Sequence, residues 1–324
     1  MHPAFSVIFL TTLLGVGQGM FIALVFVQLL TTAGIVQTEL TPEFFAYGTG
    51  VVLVFVGLAL FASFFHLGHP ERAMRTVTQW KTSWLSREVI ALPAFGVGAL
   101  LYGVIHFFSW DFILLETEDM LVQFSLVIGL LGIGLSITLW ICTGMIYACI
   151  KFLQEWATPL TVVNFIMLGM ASGYTAATVY ASFVKPEMVQ FFAWSAILFT
   201  VLAAITRISA LIRNLRIKPK STPTTAIGIR HKKIVQKSQG AMGGSYNTRE
   251  YFHGKSDGFI SLIKWGFLVL TFVVPVIFLI LGMAETAMIA LIIAAAVQYV
   301  GLLAERWYFF ADSNHPQNIY YQGV

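Results

Sequence analysis

The residues from His66 to Glu88 read H-L-G-H-P-E-R-A-M-R-T-V-T-Q-W-K-T-S-W-L-S-R-E and lie between two long apolar runs. Outside one basic loop, no other short segment holds so many ionisable and hydrogen-bonding side chains. His66 closes the first run, where an imidazole can hydrogen-bond a ring carbonyl and exchange a proton near neutral pH. Glu88 opens the next run and can act as proton acceptor or donor opposite it. Arg72 would orient either the ring or the carboxylate. Two readings of Glu88 stand side by side. It is either the proton-handling group or a first-turn carboxylate favoured by the helix macrodipole, with Ser86 at or near the N-cap. Trp80 and Trp84 are equally open, between contacts to a bound ring and an interfacial aromatic belt. The candidate set is therefore a quinone site lined by His66, Arg72, Trp80, Ser86 and Glu88, with His66 and Glu88 handling protons.

The elements that must position these groups follow from hydropathy. Of the 324 residues, 58% are hydrophobic and only 10% charged, with a mean hydropathy of +0.81. A soluble domain carries roughly a quarter charged residues. Several uninterrupted runs reach the roughly 20 residues needed to cross a bilayer as a helix. Their continuity, without alternation, excludes a β-barrel. The expected fold is all-α and polytopic, a bundle of eight transmembrane helices. The spans are placed at about Phe5–Leu30, Phe44–Phe65, Val89–Phe108, Leu121–Ile150, Leu160–Ala181, Val189–Ile212, Phe259–Leu281 and Thr286–Phe309. The first run lacks a basic n-region and a small-residue cleavage site, so it is expected to be a retained helix and not a signal peptide. Residues 1–324 are read as a single integral membrane domain, with a polar basic loop at 213–258 and a polar tail at 312–324. Gly15, Gly17 and Gly19, and Gly129, Gly132 and Gly134, offer small faces for close helix packing.

Basic residues orient the bundle. With eight spans, the termini and the even-numbered connections share one side. Eighteen of the nineteen Lys and Arg residues fall there, with Arg306 counted as following the last span, and Lys185 alone falls on the other. The opposite side carries Glu39, Glu43, Asp111, Glu116, Glu118, Asp119, Glu187 and Glu285. The positive-inside rule then places both termini, the His66–Glu88 turn and the basic loop in the cytoplasm. The expected location is the inner membrane of a bacterium. The net charge of +4 reflects this topology, not affinity for nucleic acid.

Other chemistries find little support. Cys142 and Cys149 lie seven apart in an apolar run and read as isolated thiols, not as a disulfide or metal pair. A bundle haem would need paired histidines at membrane depth, and of the seven histidines only His106 lies within a span. Two cysteines cannot hold an iron–sulfur cluster. Ionisable groups such as Glu88, Glu155, Arg207, Lys264 and Glu305 gather at the cytoplasmic helix ends, which argues against a transporter with midplane charges. Tyr147, Asn164 and Tyr174 are candidates to reach inward.

The pattern H-L-G-x-P-x-R-A from His66 to Ala73, followed by L-S-x-E from Leu85 to Glu88, resembles the membrane anchor subunits of the dimethyl sulfoxide reductase family. The eight-span layout agrees over most of the chain. The resemblance implies a haem-free anchor that exchanges electrons with ubiquinone or menaquinone, while the redox centres reside in two partners, a molybdopterin subunit and an iron–sulfur subunit. It also implies quinol binding and proton handling at His66 and Glu88. The cytoplasmic orientation, together with the opening M-H-P-A-F-S-V-I-F-L-T-T-L-L-G-V-G-Q-G, is most similar to the anchors of sulfite dehydrogenases within that family. Such an anchor would pass electrons from sulfite oxidation to quinone, with the iron–sulfur partner docked on the basic loop and tail. The alternatives are a quinol-oxidising reductase anchor, a transporter, or a purely structural tether.

Overall fold

A computed structural model describes residues 1–116, 121–218, 222–231, 234, 253–285 and 287–316. Eight of its helices are long and apolar enough to cross a membrane. They are α1 (Phe5–Thr32), α2 (Pro42–Ser63), α3 (Trp84–Phe107), α4 (Phe124–Ala148), α5 (Pro159–Val184), α6 (Val189–Leu215), α7 (Asp257–Leu268, continuing through Val274–Glu285) and α8 (Met288–Ala311). Each expected span therefore has its helix. The Met1 ammonium donates to the carbonyls of Ser313 at 2.9 Å and Ala311 at 3.4 Å, so both chain ends meet at one end of the bundle. This is the basic end of the bundle.

The helices form two sequential groups of four. Within them α1 packs on α2, α2 on α3, α3 on α4, α5 on α6 and α7 on α8, while α1 crosses α5 between the groups. The α1 and α5 helices are the most buried spans. Glycine makes their crossing possible. A Cβ on Gly173 would collide with the Gly19 backbone, and one on Gly19 would collide with the Gly169 carbonyl. In a bilayer, where helix association relies on close packing, small residues bring backbones within reach. Gly15 and Gly19 of the first glycine cluster do this against α5, whereas Gly129 and Gly132 receive the side chains of Val25, Tyr102 and Phe21.

The boundaries differ from expectation at three places. The third helix starts at Trp84 and not at Val89, because Ser83 caps it by accepting from the Ser86 N–H at 3.3 Å. Ser86 is thus a buried first-turn residue and not the cap. Residues 121–123 pair as a strand instead of opening α4: β1 (Ile113–Glu116) and β2 (Leu121–Gln123) form an antiparallel hairpin at the end opposite the basic end. Arg306 does not follow the last span; it lies inside α8 and is buried. The eighth helix runs on to Ala311, which carries Arg306 into the bundle.

Two local features adapt helices to packing. Pro275 has no N–H for the carbonyl of Thr271, and the ladder there widens into a π-turn over Val269–Val273. Gly301 of α8 lies against that turn, where a Cβ would sit 2.5 Å from the Thr271 hydroxyl. The His66–Glu88 connection, expected as a turn, contains 3₁₀ segments at Phe64–His66 and Pro70–Gln79. Of the 213–258 loop, a capped helical turn at Pro223–Ile227 and the Ser256 cap of α7 are described. Half of that loop, and the tail beyond residue 316, lie outside the described residues.

The α1–α5 crossing should be the least tolerant contact in the bundle. Gly173→Val is expected to lower the thermal midpoint in detergent, with an overpacking cost of about 1–3 kcal/mol or more. Gly96→Ala, where a Cβ meets nothing within 4 Å, should leave it unchanged. Melting curves of the two purified variants against the parent chain check this.

Candidate functional site

The five residues named from the sequence all sit at the basic end, in two different environments. Glu88, the fifth residue of α3 and just past its first turn, is buried, and its Oε1 accepts a 2.5 Å hydrogen bond from the Thr143 hydroxyl of α4. Ser86, two residues earlier, is buried as well. His66, Arg72 and Trp80 are exposed. No hydrogen bond or ion pair joins His66 to Glu88 among the described residues; the two flank the connection in the chain, His66 exposed and Glu88 buried.

The turn carries its own surface contacts. The Glu71 carboxylate lies 3.0 Å from His69 Nδ1 and 3.8 Å from Arg72 Nε, so Arg72 faces Glu71 and not Glu88. Arg87 donates to the carbonyls of Trp80 at 2.9 Å and Lys81 at 2.8 Å, and its guanidinium stands 4.2 Å from the centre of the Trp84 ring. These bonds tie the end of the connection to the start of α3. They also explain the position of Glu88. With Arg87 turned up toward the connection and Ser83 filling the capping role, the next carboxylate is free to point down into the bundle.

That placement speaks against the capping reading of Glu88, since Ser83 holds the N-cap. A capping carboxylate would sit at the solvent edge of the first turn. Here it is withdrawn from water, with a single hydroxyl as hydrogen-bond partner and no cation paired to it among the described residues. Burying a carboxyl without charge compensation is costly. Within a membrane bundle such a group is by default a candidate for function. Thr143 holds one oxygen and leaves the other available.

A second polar group was not foreseen. Arg207 of α6 contacts Glu305 of α8 at 2.6 Å, and Arg306 Nε lies 3.5 Å from the other Glu305 oxygen. All three are buried. The Arg207–Glu305 contact is close but off the line of a hydrogen bond, leaving Arg207 Nε and Nη2 and both Glu305 oxygens without such a bond. The Arg306 guanidinium stacks 3.8 Å from the centre of the Phe165 ring. Arg207 lies eight residues before the end of α6, so the cluster is roughly two turns inside the bundle and not at the helix ends. The sequence held a signal, since an ionisable pair such as Glu305–Arg306 inside an apolar run is itself a flag; its partner Arg207 is 98 residues away and could be matched only by the fold.

Tyr147, Asn164 and Tyr174 do point inward, as proposed from the sequence. Tyr147 lies within electrostatic reach of both Glu88 and Arg306 and packs among Trp156, Phe165, Phe309 and Phe310. Asn164 is buried with its Oδ1 unpaired. Near the surface, Glu155 sits in the α4–α5 connection beside Asp312, and burial holds its carboxyl above the usual carboxylate range. Cys142 and Cys149 are free thiols. At the far end His106 is buried between Phe45 and Tyr102, with Nε2 unpaired.

A bundle of eight spanning helices with its buried acid beneath a polar turn at one end defines a multi-pass membrane protein. The chain belongs to the DMSO reductase anchor subunit family, whose model matches residues 1–312. It is 49% identical over 325 residues to the C subunit of the sulfite dehydrogenase of Allochromatium vinosum, an alignment that covers the whole of both chains. It is accordingly a membrane anchor of this oxidoreductase type.

Removing the one acid between two buried guanidiniums should be severe. Glu305→Gln is expected to cost on the order of 3–5 kcal/mol, as for breaking a buried ion pair. Arg207→Met, which leaves Glu305 still beside Arg306, should cost less. Thermal denaturation of both variants in one detergent ranks them.

Proposed function

We propose that this chain is the quinone-reactive subunit of a sulfite-oxidising complex, passing electrons from a partner to membrane quinone. The observation that carries the reading is Glu88, a buried carboxyl with one hydroxyl partner and no paired cation among the described residues, directly beneath the turn that bears His66. Quinone reduction consumes two electrons and two protons. A ring seated at the turn would meet an exposed imidazole at its rim and the free Glu88 oxygen below. His66 then holds the ring by hydrogen bonding and exchanges a proton with water, while Glu88 supplies the second proton from the protein side. Thr143 keeps the Glu88 carboxyl turned toward the site. Arg72, Ser86 and Trp80 complete the proposed lining, with Arg72 bound to Glu71 until a ring draws it inward.

The sulfite assignment rests on the full-length similarity to the C subunit of a sulfite dehydrogenase. The electron donor is proposed to be an iron–sulfur subunit, itself fed by a molybdopterin subunit. Both would dock on the basic end, at the turn and at the surface offered by the 213–258 loop and the 312–324 tail. The one-sided distribution of Lys and Arg supports a cytoplasmic basic end in a bacterial inner membrane. On that side protons for the quinone come from the cytoplasm, and electrons entering from the same side move no charge across the membrane.

In the assembled complex, His66→Ala and Glu88→Gln are each expected to lower sulfite-to-quinone turnover by on the order of 10²-fold, the low end for losing a positioned proton-transfer group. Sulfite oxidation with a soluble artificial acceptor should be unchanged. Full quinone turnover in both variants would reduce the chain to a tether.

A further inference from the structure

The buried polar groups at the basic end are not scattered. They form one row, from the protein surface to Glu88. At the surface, a cavity of about 360 Å3 between α6 and α7 is walled on its polar side by Glu155, Asn214, Lys264, Tyr308 and Asp312. Glu155, Asn214 and Asp312 also line a second, nearly closed void of about 10 Å3, whose inner wall is Arg207 and Asn164. That is room for one water molecule, and a water is placed in such a space only when polar partners surround it. Partners are present: Asn164 Oδ1 and Arg207 Nη2 are both buried with no hydrogen-bond partner. Inward of the void come Arg207, Glu305 and Arg306 in mutual contact. Tyr147 follows: its ring stacks on Phe165, which the Arg306 guanidinium also covers, and it lies one helical turn along α4 from Thr143, which holds Glu88. Trp156 and Phe309 line the void and also pack on Tyr147, so an aromatic wall seals the row from the surrounding apolar core.

We propose that this row is a proton-entry path: protons pass from bulk water at the basic end through the Glu155 cavity and the one-water void to Tyr147 and Glu88, refilling Glu88 when the turn above it is covered. The proposal rests on the reading of Glu88 as the proton donor to quinone. Its physical motive is access. A ring at the turn and a partner docked over it close the short way to Glu88, whose side chain is already buried. Each transit takes one proton from water at the mouth and delivers one to the carboxylate left when Glu88 has given its proton up; no other bond changes. The two guanidiniums would by themselves repel a passing hydronium. Glu305 lies between them and offsets their charge, and a water in the void would link Glu155 to Asn164 and Arg207 at the outer end of the row. The Glu155 carboxyl at the mouth faces Asp312 and the Met1 amine, with Lys264 of α7, Tyr308 of α8 and Arg213 of α6 around the same opening. Burial keeps it protonated to a higher pH than an ordinary glutamate, which suits a group that hands protons on.

The test uses the assembled complex and two readouts. In the first, the pH is dropped rapidly with no quinone added, and the infrared carboxyl band of Glu88, assigned by its loss in Glu88→Gln, is followed in time. With the turn covered by the docked partner, Asn164→Leu and Tyr147→Phe are expected to slow this protonation by on the order of 10²-fold, and Asn164→Asp to restore it. In the second, the pH profile of quinone reduction in Glu155→Gln and Tyr147→Phe should fall away earlier on the alkaline side, where hydronium is scarce. Unchanged protonation rates in both Asn164→Leu and Tyr147→Phe, with the complex intact, overturn the path; if Glu88→Gln still stops quinone reduction in that case, the quinone site stands without it. Tyr147→Phe removes only a hydroxyl, so it keeps the test decisive if Asn164→Leu does not assemble.

Discussion

In the hydrocarbon core no water is available to a polar group, so each one must find its partner inside the protein. The basic end of this bundle is arranged around that constraint. Arg207, Glu305 and Arg306 meet one another across α6 and α8, and the Arg306 guanidinium spreads over the Phe165 ring. Trp156 gives its indole N–H to the Phe309 carbonyl, and Thr161 gives its hydroxyl to the Trp156 carbonyl. The α4–α5 connection, the end of α6 and the end of α8 are thereby held together. A buried ion pair of this kind is a poor source of net stability. It is, however, a strong determinant of which helices must be neighbours, because any other arrangement leaves a charge alone.

Away from that cluster, the bundle is held by contact between backbones. The glycines of α1 and α5 let the two inner helices approach until a single Cβ would collide with the opposite backbone. The remaining helices pack around this pair and expose broad apolar faces, such as Val51, Val54, Leu58 and Phe61 on α2. Exposed apolar residues on a spanning helix are the lipid-facing surface. The chain thus pairs a closely packed, nearly apolar bundle with polar chemistry concentrated at its basic end. At the opposite end Asp111 accepts from the Ser125 hydroxyl and backbone N–H, and Gln28 links Ser125 to Tyr102. That network is satisfied within itself, apart from His106 above it.

The placement of Glu88 shows how local and global forces combine. Ser83 accepts the Ser86 N–H at the start of α3, so the cap is filled without Glu88. Arg87 is occupied by the carbonyls of Trp80 and Lys81, which keeps a nearby cation from pairing with Glu88. Thr143, on a helix that begins well after Glu88 in the chain, then receives the carboxyl.

From the residues alone, eight spans, their common end and the polar turn between α2 and α3 were legible, because hydropathy and charge are properties of contiguous segments. The inward position of Tyr147, Asn164 and Tyr174 could be suggested for the same reason: polar side chains in long apolar runs are driven from lipid. The strand pairing at 113–116 and 121–123 was not legible, since its apolar residues merged with the run that follows. Nor was the start of α3, which depended on which of two serines would cap. Above all, the partners of the buried charges were hidden. Nothing in the sequence near Glu88 names Thr143, and nothing near Glu305 names Arg207, because helix rotation and packing select them. Sequence determined where polar groups had to be retained in an apolar chain. Tertiary structure decided which of them meet, since in the absence of water each could be satisfied only by a residue brought from another helix.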